Sequence, residues 1–243
     1  MGFWSKLKSV VKKVVRFIRT VVRMIVRVAM TIATALTLNL PDLILGFLLP
    51  AKKLRLYVLI LSDEKVPPDG ELPLPALAQQ AVENAKRIYK KLFNINIIPY
   101  SKNFIEIFPG EVPGDAQEYD CAGKSQFQDL GDFFNDNLAG WVGGIPITLT
   151  NPITVFVINN LKGEGGTDLG GCSIPVLTDY VILDRVGLKT NIALSHEMGH
   201  ACGVFWHSDT KNNLMYKSED FAGEEAKWFQ KNIIRSSRHV WYW

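Results

Sequence analysis

The 243-residue sequence predicts an α+β domain preceded by a helical segment. Three observations carry that expectation. Between residues 56 and 100 an apolar run, an amphipathic helical period and a second apolar run follow one another; short apolar runs recur at 153–158 and 180–183; and a helix bearing two histidines one turn apart comes after them. With 47% hydrophobic residues the chain can fill one core of ordinary size and still carry an appendage.

The appendage comes first. Residues 1–41 hold eight of the 27 basic residues (Lys6, Lys8, Lys12, Lys13, Arg16, Arg19, Arg23 and Arg27) and none of the 24 acidic ones, so the remainder is left with a net charge of −5. At about 100° per residue the basic side chains share one side of a helix, while Trp4, Leu7, Val11, Val14, Ile18, Val22 and Ile25 share the other. Such a helix suits an anionic membrane interface, which is the partner expected for residues 1–50. From Val28 to Leu49 the chain is almost continuously apolar, but Pro41-Asp42 near its middle is costly in a bilayer, so a re-entrant or surface-bound hairpin is expected over a span. Two alternatives are a secretory signal cleaved near Ala33-Thr34-Ala35, giving a secreted protein, and a segment that packs on the domain. The acidic domain suggests no nucleic-acid partner.

The domain is expected over residues 54–243. Leu56 to Leu61 reads as a buried strand, and Pro67, Pro68, Gly70, Pro73 and Pro75 form a loop. Residues 76–93 follow as a helix with Leu77, Ala81, Ala85, Ile88 and Leu92 on one face, and Ile95 to Tyr100 as a second strand. That order implies a parallel pair with a right-handed crossover. Residues 101–151 are irregular apart from a short helix at Gln126–Leu138. Ile153 to Ile158 and Tyr180 to Leu183 are strands; the glycine-rich loop at 163–166 between them lacks the pattern of a phosphate cradle. Thr190-Asn191 is expected to cap the histidine-bearing helix. Ser218, Glu219 and Asp220 are expected to cap a final helix ending near Arg235.

The chemistry concentrates at His196-Glu197-Met198-Gly199-His200. His196 and His200 project from one helix face and can share a metal ion, with Glu197 between them as a proton acceptor. Gly203 can adopt the left-handed conformation that ends a helix and turns the chain back, which brings His207 in as a third imidazole. A carboxylate from Glu219, Glu224 or Glu225 is the rival third ligand. Three neutral imidazoles on Zn2+ leave one position open, as a catalytic site requires. Cys202 points about 200° away from the metal face, into the core or a disulfide. Three cysteines, Cys121, Cys172 and Cys202, allow one disulfide and one free thiol. The fourth histidine, His239, is expected at the surface.

HEMGHACG, followed by His207-Ser208 and by Leu214-Met215-Tyr216, resembles the zinc signature and Met-turn of the metzincin metalloproteases, and is most similar to the matrixin-like branch. The resemblance covers roughly residues 54–235. The chain departs from it by one extra residue between Gly203 and His207. The resemblance implies a twisted mixed sheet above the zinc helix and a closing helix. It also implies an antiparallel edge strand along the cleft, placed by order at Gly170, Gly171, Cys172 and Ser173, and Met215 as an apolar floor beneath the metal. Tyr216 is not a ligand in that pattern, and Cys121 lacks the motif of the pro-segment cysteine that keeps matrixins latent. The activity implied is a zinc endopeptidase acting on peptide or protein substrates with Glu197 as general base. A membrane-associated binding protein with a non-catalytic zinc site, or a zinc aminopeptidase, would carry the same ligands.

Overall fold

The computed structural model describes residues 3–37, 40–45, 49–64, 66–121, 129–142, 145–146, 150–163, 170–174, 178–217 and 223–242. Two helices, α1 (Phe3–Thr37) and α2 (Leu40–Leu45), precede the sheet. β1 (Lys52–Ile60) leads through α3 (Leu74–Phe93) to β2 (Ile95–Pro99) and β3 (Ile105–Ile107). Short elements follow: α4 (Gly114–Gln117), β4 (Glu118–Asp120), α5 (Asp129–Asp136), β5 (Trp141–Val142) and β6 (Ile145–Pro146). β7 (Ile153–Val157), β8 (Asn160–Lys162), β9 (Gly171–Cys172) and β10 (Tyr180–Leu183) come next. Three helices, α6 (Arg185–Lys189), α7 (Ala193–Ala201) and α8 (Trp228–Arg235), and the strand β11 (Val240–Trp241) end the chain.

The architecture is α+β with a mixed sheet: one edge of β1 pairs with β2 and then β3, the other with β11 and then β7, and β10 and β9 follow β7. β1, β2, β3, β7 and β10 run parallel; β9 and β11 are antiparallel to their neighbours. Side chains alternate across a strand, so each strand feeds two cores. Leu56, Val58, Val155, Val181 and Leu183 pack against α3 and α7 on one face. Leu59, Phe156, Tyr180 and Ile182 meet Phe134 and Tyr119 on the other. α3 buries the predicted stripe Leu77, Ala81, Ala85, Ile88 and Leu92, and stops at Asn94, whose φ of 53° is left-handed.

Several boundaries differ from expectation. β1 begins at Lys52, two residues before the predicted domain start, with the Lys52 side chain buried. α5 starts at Asp129; positions 126–128 lie outside the described residues. Thr190-Asn191 does not cap α7, whose N-cap is Ile192 without a side-chain bond. The reason is α6, a helix the sequence reading missed. Asp184 caps it by accepting from the Gly187 N–H at 3.0 Å, Thr190 closes it, and the Asn191 side chain accepts from Asn84. The final helix begins at Trp228, well after Ser218–Asp220, which lie outside the described residues. Residues 223–225 are instead tied to the turn at 212–214: Leu214 N–H donates to Glu225 O at 2.7 Å and Glu225 N–H to Asn212 O at 3.0 Å.

α1 and α2 are docked on the domain. Arg16 and Arg23 pair with Asp132 at 3.2 and 2.9 Å, Arg23 reaches Asp136 at 2.6 Å, and Arg27 pairs with Asp179 at 3.0 Å while its guanidinium lies 4.7 Å over the Trp141 ring. Asp42, which argued against a span, is fully buried in the domain, accepting from Lys52 at 2.9 Å, Arg235 at 2.7 Å and Tyr242 at 2.9 Å. Burial pushes the Lys52 ammonium down to about 8, partly offset by its bond to Asp42. His239 is a further correction: it is fully buried rather than at the surface. Its Nδ1–H donates to Asn151 O at 2.8 Å, and it lies beside Asp179, which also binds Arg238. Burial alone would raise the Asp179 carboxyl, but Arg238, then Arg27 and His239, outweigh it and hold the group well below the usual carboxylate range.

Candidate metal centre

α7 is a short, wholly buried helix, and it presents His196 and His200 one turn apart on one face. It ends as the sequence predicts. Gly203 takes φ 105°, its N–H donates to His200 O at 2.8 Å, and Val204 N–H donates to Gly199 O at 3.1 Å. The chain then returns toward the helix and delivers His207. The extra residue is absorbed in the loop, where Phe205 is exposed and Trp206 rests on Phe229 with ring centroids 5.8 Å apart.

The three imidazoles converge through their Nε2 atoms. His200 Nε2 lies 3.2 Å from His196 Nε2 and 3.2 Å from His207 Nε2. Nitrogens bound to one tetrahedral zinc at about 2.1 Å stand about 3.4 Å apart, so the spacing fits a shared ion. The proton positions fit as well. His196 Nδ1 lies 2.7 Å from Leu214 O and His200 Nδ1 lies 2.6 Å from Val204 O; a carbonyl only accepts, so each Nδ1 carries the hydrogen. The Nε2 lone pairs of His196 and His200 are therefore left facing one another, an arrangement that a cation relieves. Burial, reinforced by the neighbouring His200, pushes His196 down to about 3; burial pushes His200 down to about 4 and also lowers His207. An imidazole binds a metal ion through a deprotonated ring nitrogen, the form that burial favours here. Among the described residues these three histidines are close enough to bind a metal ion.

The rival carboxylates are placed elsewhere. Glu224 binds Arg87 at 2.6 Å and Lys91 at 2.9 Å on the surface, Glu225 is exposed, and Glu219 lies outside the described residues. Glu197 is buried and packs against the edge strand: a Cβ built on Gly171 would fall 2.6 Å from Glu197 Cγ. β9 does lie at the end of the sheet, antiparallel to β10 with Gly171 opposite Leu183. Cys172 is disulfide-bonded to Cys121, and Cys202 is a free, buried thiol.

Met215 lies under α7, its sulfur 2.5 Å from where a Cβ on Gly199 would stand, so only glycine permits this approach. The turn that carries it does two jobs. Leu214 supplies the carbonyl that fixes the His196 ring, and Met215 fills the space beneath the helix. Asn213 holds the turn by accepting from Met215 N–H at 2.9 Å, an Asx-type closure, and its amide exchanges hydrogen bonds with Gln230 at 3.0 and 3.2 Å. Sequence reasoning missed Asn213 and Gln230, although an asparagine two residues before Met215 is a legible turn signal. Among the histidine-fixing groups, the carbonyls of Val204 and Leu214 leave no mark in the sequence. No protein-family model matches the chain, and no curated protein matches it.

Proposed function

We propose that the protein is a zinc-dependent endopeptidase of metzincin type. The observation that carries this reading is the convergence of three imidazole Nε2 atoms at a helix that also carries a buried glutamate. His196, His200 and His207 would hold the ion, with Leu214 O and Val204 O orienting the first two. A zinc ion held by three imidazoles supplies Lewis acidity, lowering the pKa of water toward about 7 and polarising a carbonyl. Glu197 accepts the proton of the attacking water and returns it to the leaving amine. β9, at the end of the sheet and packed against Glu197, would pair with an extended substrate backbone in this reading, as peptides add to sheet edges elsewhere. The resemblance of 196–216 to the metzincin signature supports the same assignment, as does the position of Met215.

The test uses the full chain. One zinc per chain and chelator-sensitive hydrolysis of a denatured protein are expected, and Glu197→Gln should keep the zinc while lowering turnover by at least about 100-fold. Stoichiometric zinc without hydrolysis would favour a binding protein with a non-catalytic site. Release of single N-terminal residues would favour an aminopeptidase.

A further inference from the structure

α1 is amphipathic in the reverse sense from a helix on a soluble domain. Its polar stripe, Arg16, Thr20, Arg23, Arg27 and Thr34, faces the protein. Its apolar stripe faces outward over the whole length, with Trp4 72%, Phe17 67%, Ile25 62% and Leu36 63% exposed. Thirty-five residues make a rod of about 52 Å, so the open strip far exceeds the few hundred Å2 that monomers usually tolerate.

We propose that α1 is an in-plane keel: its outer face sinks into the surface of an anionic phospholipid bilayer, and its arginine face carries the domain above. The length and apolarity of α1 also suit a helix that crosses a membrane. A crossing helix, however, would draw Arg16, Arg23 and Arg27 into hydrocarbon together with the carboxylates of a folded domain. Lying flat, it keeps those pairs above the headgroups. The charges left over are arranged for lipid. Lys6 and Lys13 flank the apolar strip on one side, Lys8, Lys12 and Arg19 flank it on the other, and all five are exposed. A ridge of apolar side chains between two cationic margins matches a layer of phosphates over acyl chains. This changes what residues 1–50 contribute: three of the eight basic residues hold the domain, so charge is the smaller part of membrane affinity and apolar burial the larger.

The experiment measures partition of the full chain onto phosphatidylcholine vesicles with and without phosphatidylserine, at low and high salt. Binding to both is expected, tighter on the anionic vesicles. High salt should erase only the difference, since screening acts on the lysines and not on the buried strip. Ile18→Glu with Ile25→Glu should weaken partition at least about 100-fold with the near-UV circular dichroism unchanged, because both side chains are on the outer face. Replacing Lys6, Lys8, Lys12, Lys13 and Arg19 by Gln should reduce anionic binding to the neutral level. Polarised infrared spectra of oriented bilayers should place the helix in the plane. A helix along the bilayer normal, or a folded full chain that stays in solution, would overturn the proposal. So would a dimer, dispersed by the Ile18/Ile25 change, that ignores vesicles.

Discussion

Replacing Gly171 by alanine probes how closely β9 fixes the side chain of Glu197. A Cβ at that position would lie 2.6 Å from Glu197 Cγ, 3.2 Å from its Cδ and 3.0 Å from Leu183 Cδ2, whereas ordinary contact begins at 3.4 Å. Gly171 is not among the glycines of left-handed conformation, so alanine brings no backbone strain and the whole effect comes from the added methyl. Glu197 must then retreat by most of an ångström from the position that the proposed reaction uses. A misplacement of about 1 Å in a reacting group costs on the order of 100-fold in rate. Overpacking a tight site costs about 1–3 kcal/mol, and each kcal/mol lowers the melting temperature of a domain this size by roughly 2–4 °C.

The assay pairs kcat on a quenched fluorescent peptide with zinc content and a thermal melt of the same preparation. The expected result is a kcat lower by about 100-fold, an unchanged zinc content and a melting point lower by several degrees. The zinc readout matters because the atoms that a Cβ at Gly171 would meet first belong to Glu197 and Leu183, so a loss of metal would point to general damage. Wild-type turnover in a fully metallated Gly171→Ala chain would refute the placement of Glu197 against β9 as a requirement for activity.

Asp42→Ala should destabilise the protein by about 3–5 kcal/mol in urea unfolding, because it leaves Lys52 and Arg235 buried without their carboxylate; a loss under 1 kcal/mol would show that these ion pairs do not hold α2 in place. Stability of the metal-free protein should fall as pH drops. Burial, then Arg238, pushes His239 down to about 4, below its unfolded value of about 6.5, so the unfolded chain takes up the proton first. The stabilisation is complete above about pH 6.5 and is lost as pH falls toward 4; at pH 5 the loss is about 2 kcal/mol for this histidine. His239→Gln, which can still donate to Asn151 O, should remove about 2 kcal/mol of the stability lost between pH 7 and 5, leaving the part due to His196 and His200, and an unaltered slope would count against it. Reducing Cys121–Cys172 opens a link across 51 residues, worth about 4 kcal/mol in chain entropy. It should speed hydrogen exchange at Gly171–Cys172 and raise KM for a peptide while zinc stays bound; unchanged exchange there would mean that β10 alone holds the edge.

Much of the sheet and of the ligand set was legible in the sequence for the same reason: both leave a period. Ile153–Val157 and Tyr180–Leu183 read as strands because apolar runs of that length need a sheet, and His196 and His200 read as a pair because one helical turn separates them. Caps were less legible. Thr190 suits the end of a helix as well as the start of one, and only the Asp184 bond to Gly187 decides between them. His239 was misread because an isolated polar residue near a terminus is usually solvated; what makes its burial tolerable is Asp179, sixty positions away in the chain. The groups that orient the histidines are backbone carbonyls, and every residue has one, so no choice of amino acid announces them.

α1 shows where periodicity stops as a guide. A period of 3.6 fixes which residues share a face, and it correctly separated the arginines from Trp4, Ile18 and Ile25. It does not say which face turns inward. For a helix without partners in the chain, apolar side chains seek the core and charges seek water, and the sequence reading sent the arginines to lipid phosphates on that basis. The domain reverses the choice, because Asp132, Asp136 and Asp179 offer the arginines carboxylates at fixed positions. These acids lie far from α1 in sequence, and the one-turn spacing of Asp132 and Asp136 on α5 does not say which cations they meet. The one sequence-level trace of the arrangement is the charge imbalance, a basic segment ahead of an acidic domain. A membrane reading that gives all eight cations to the lipid double-counts those the domain has already engaged, and the two readings separate in the salt dependence of binding: eight free cations make binding steeply sensitive to salt, whereas three engaged arginines and an outward apolar strip leave most of it intact.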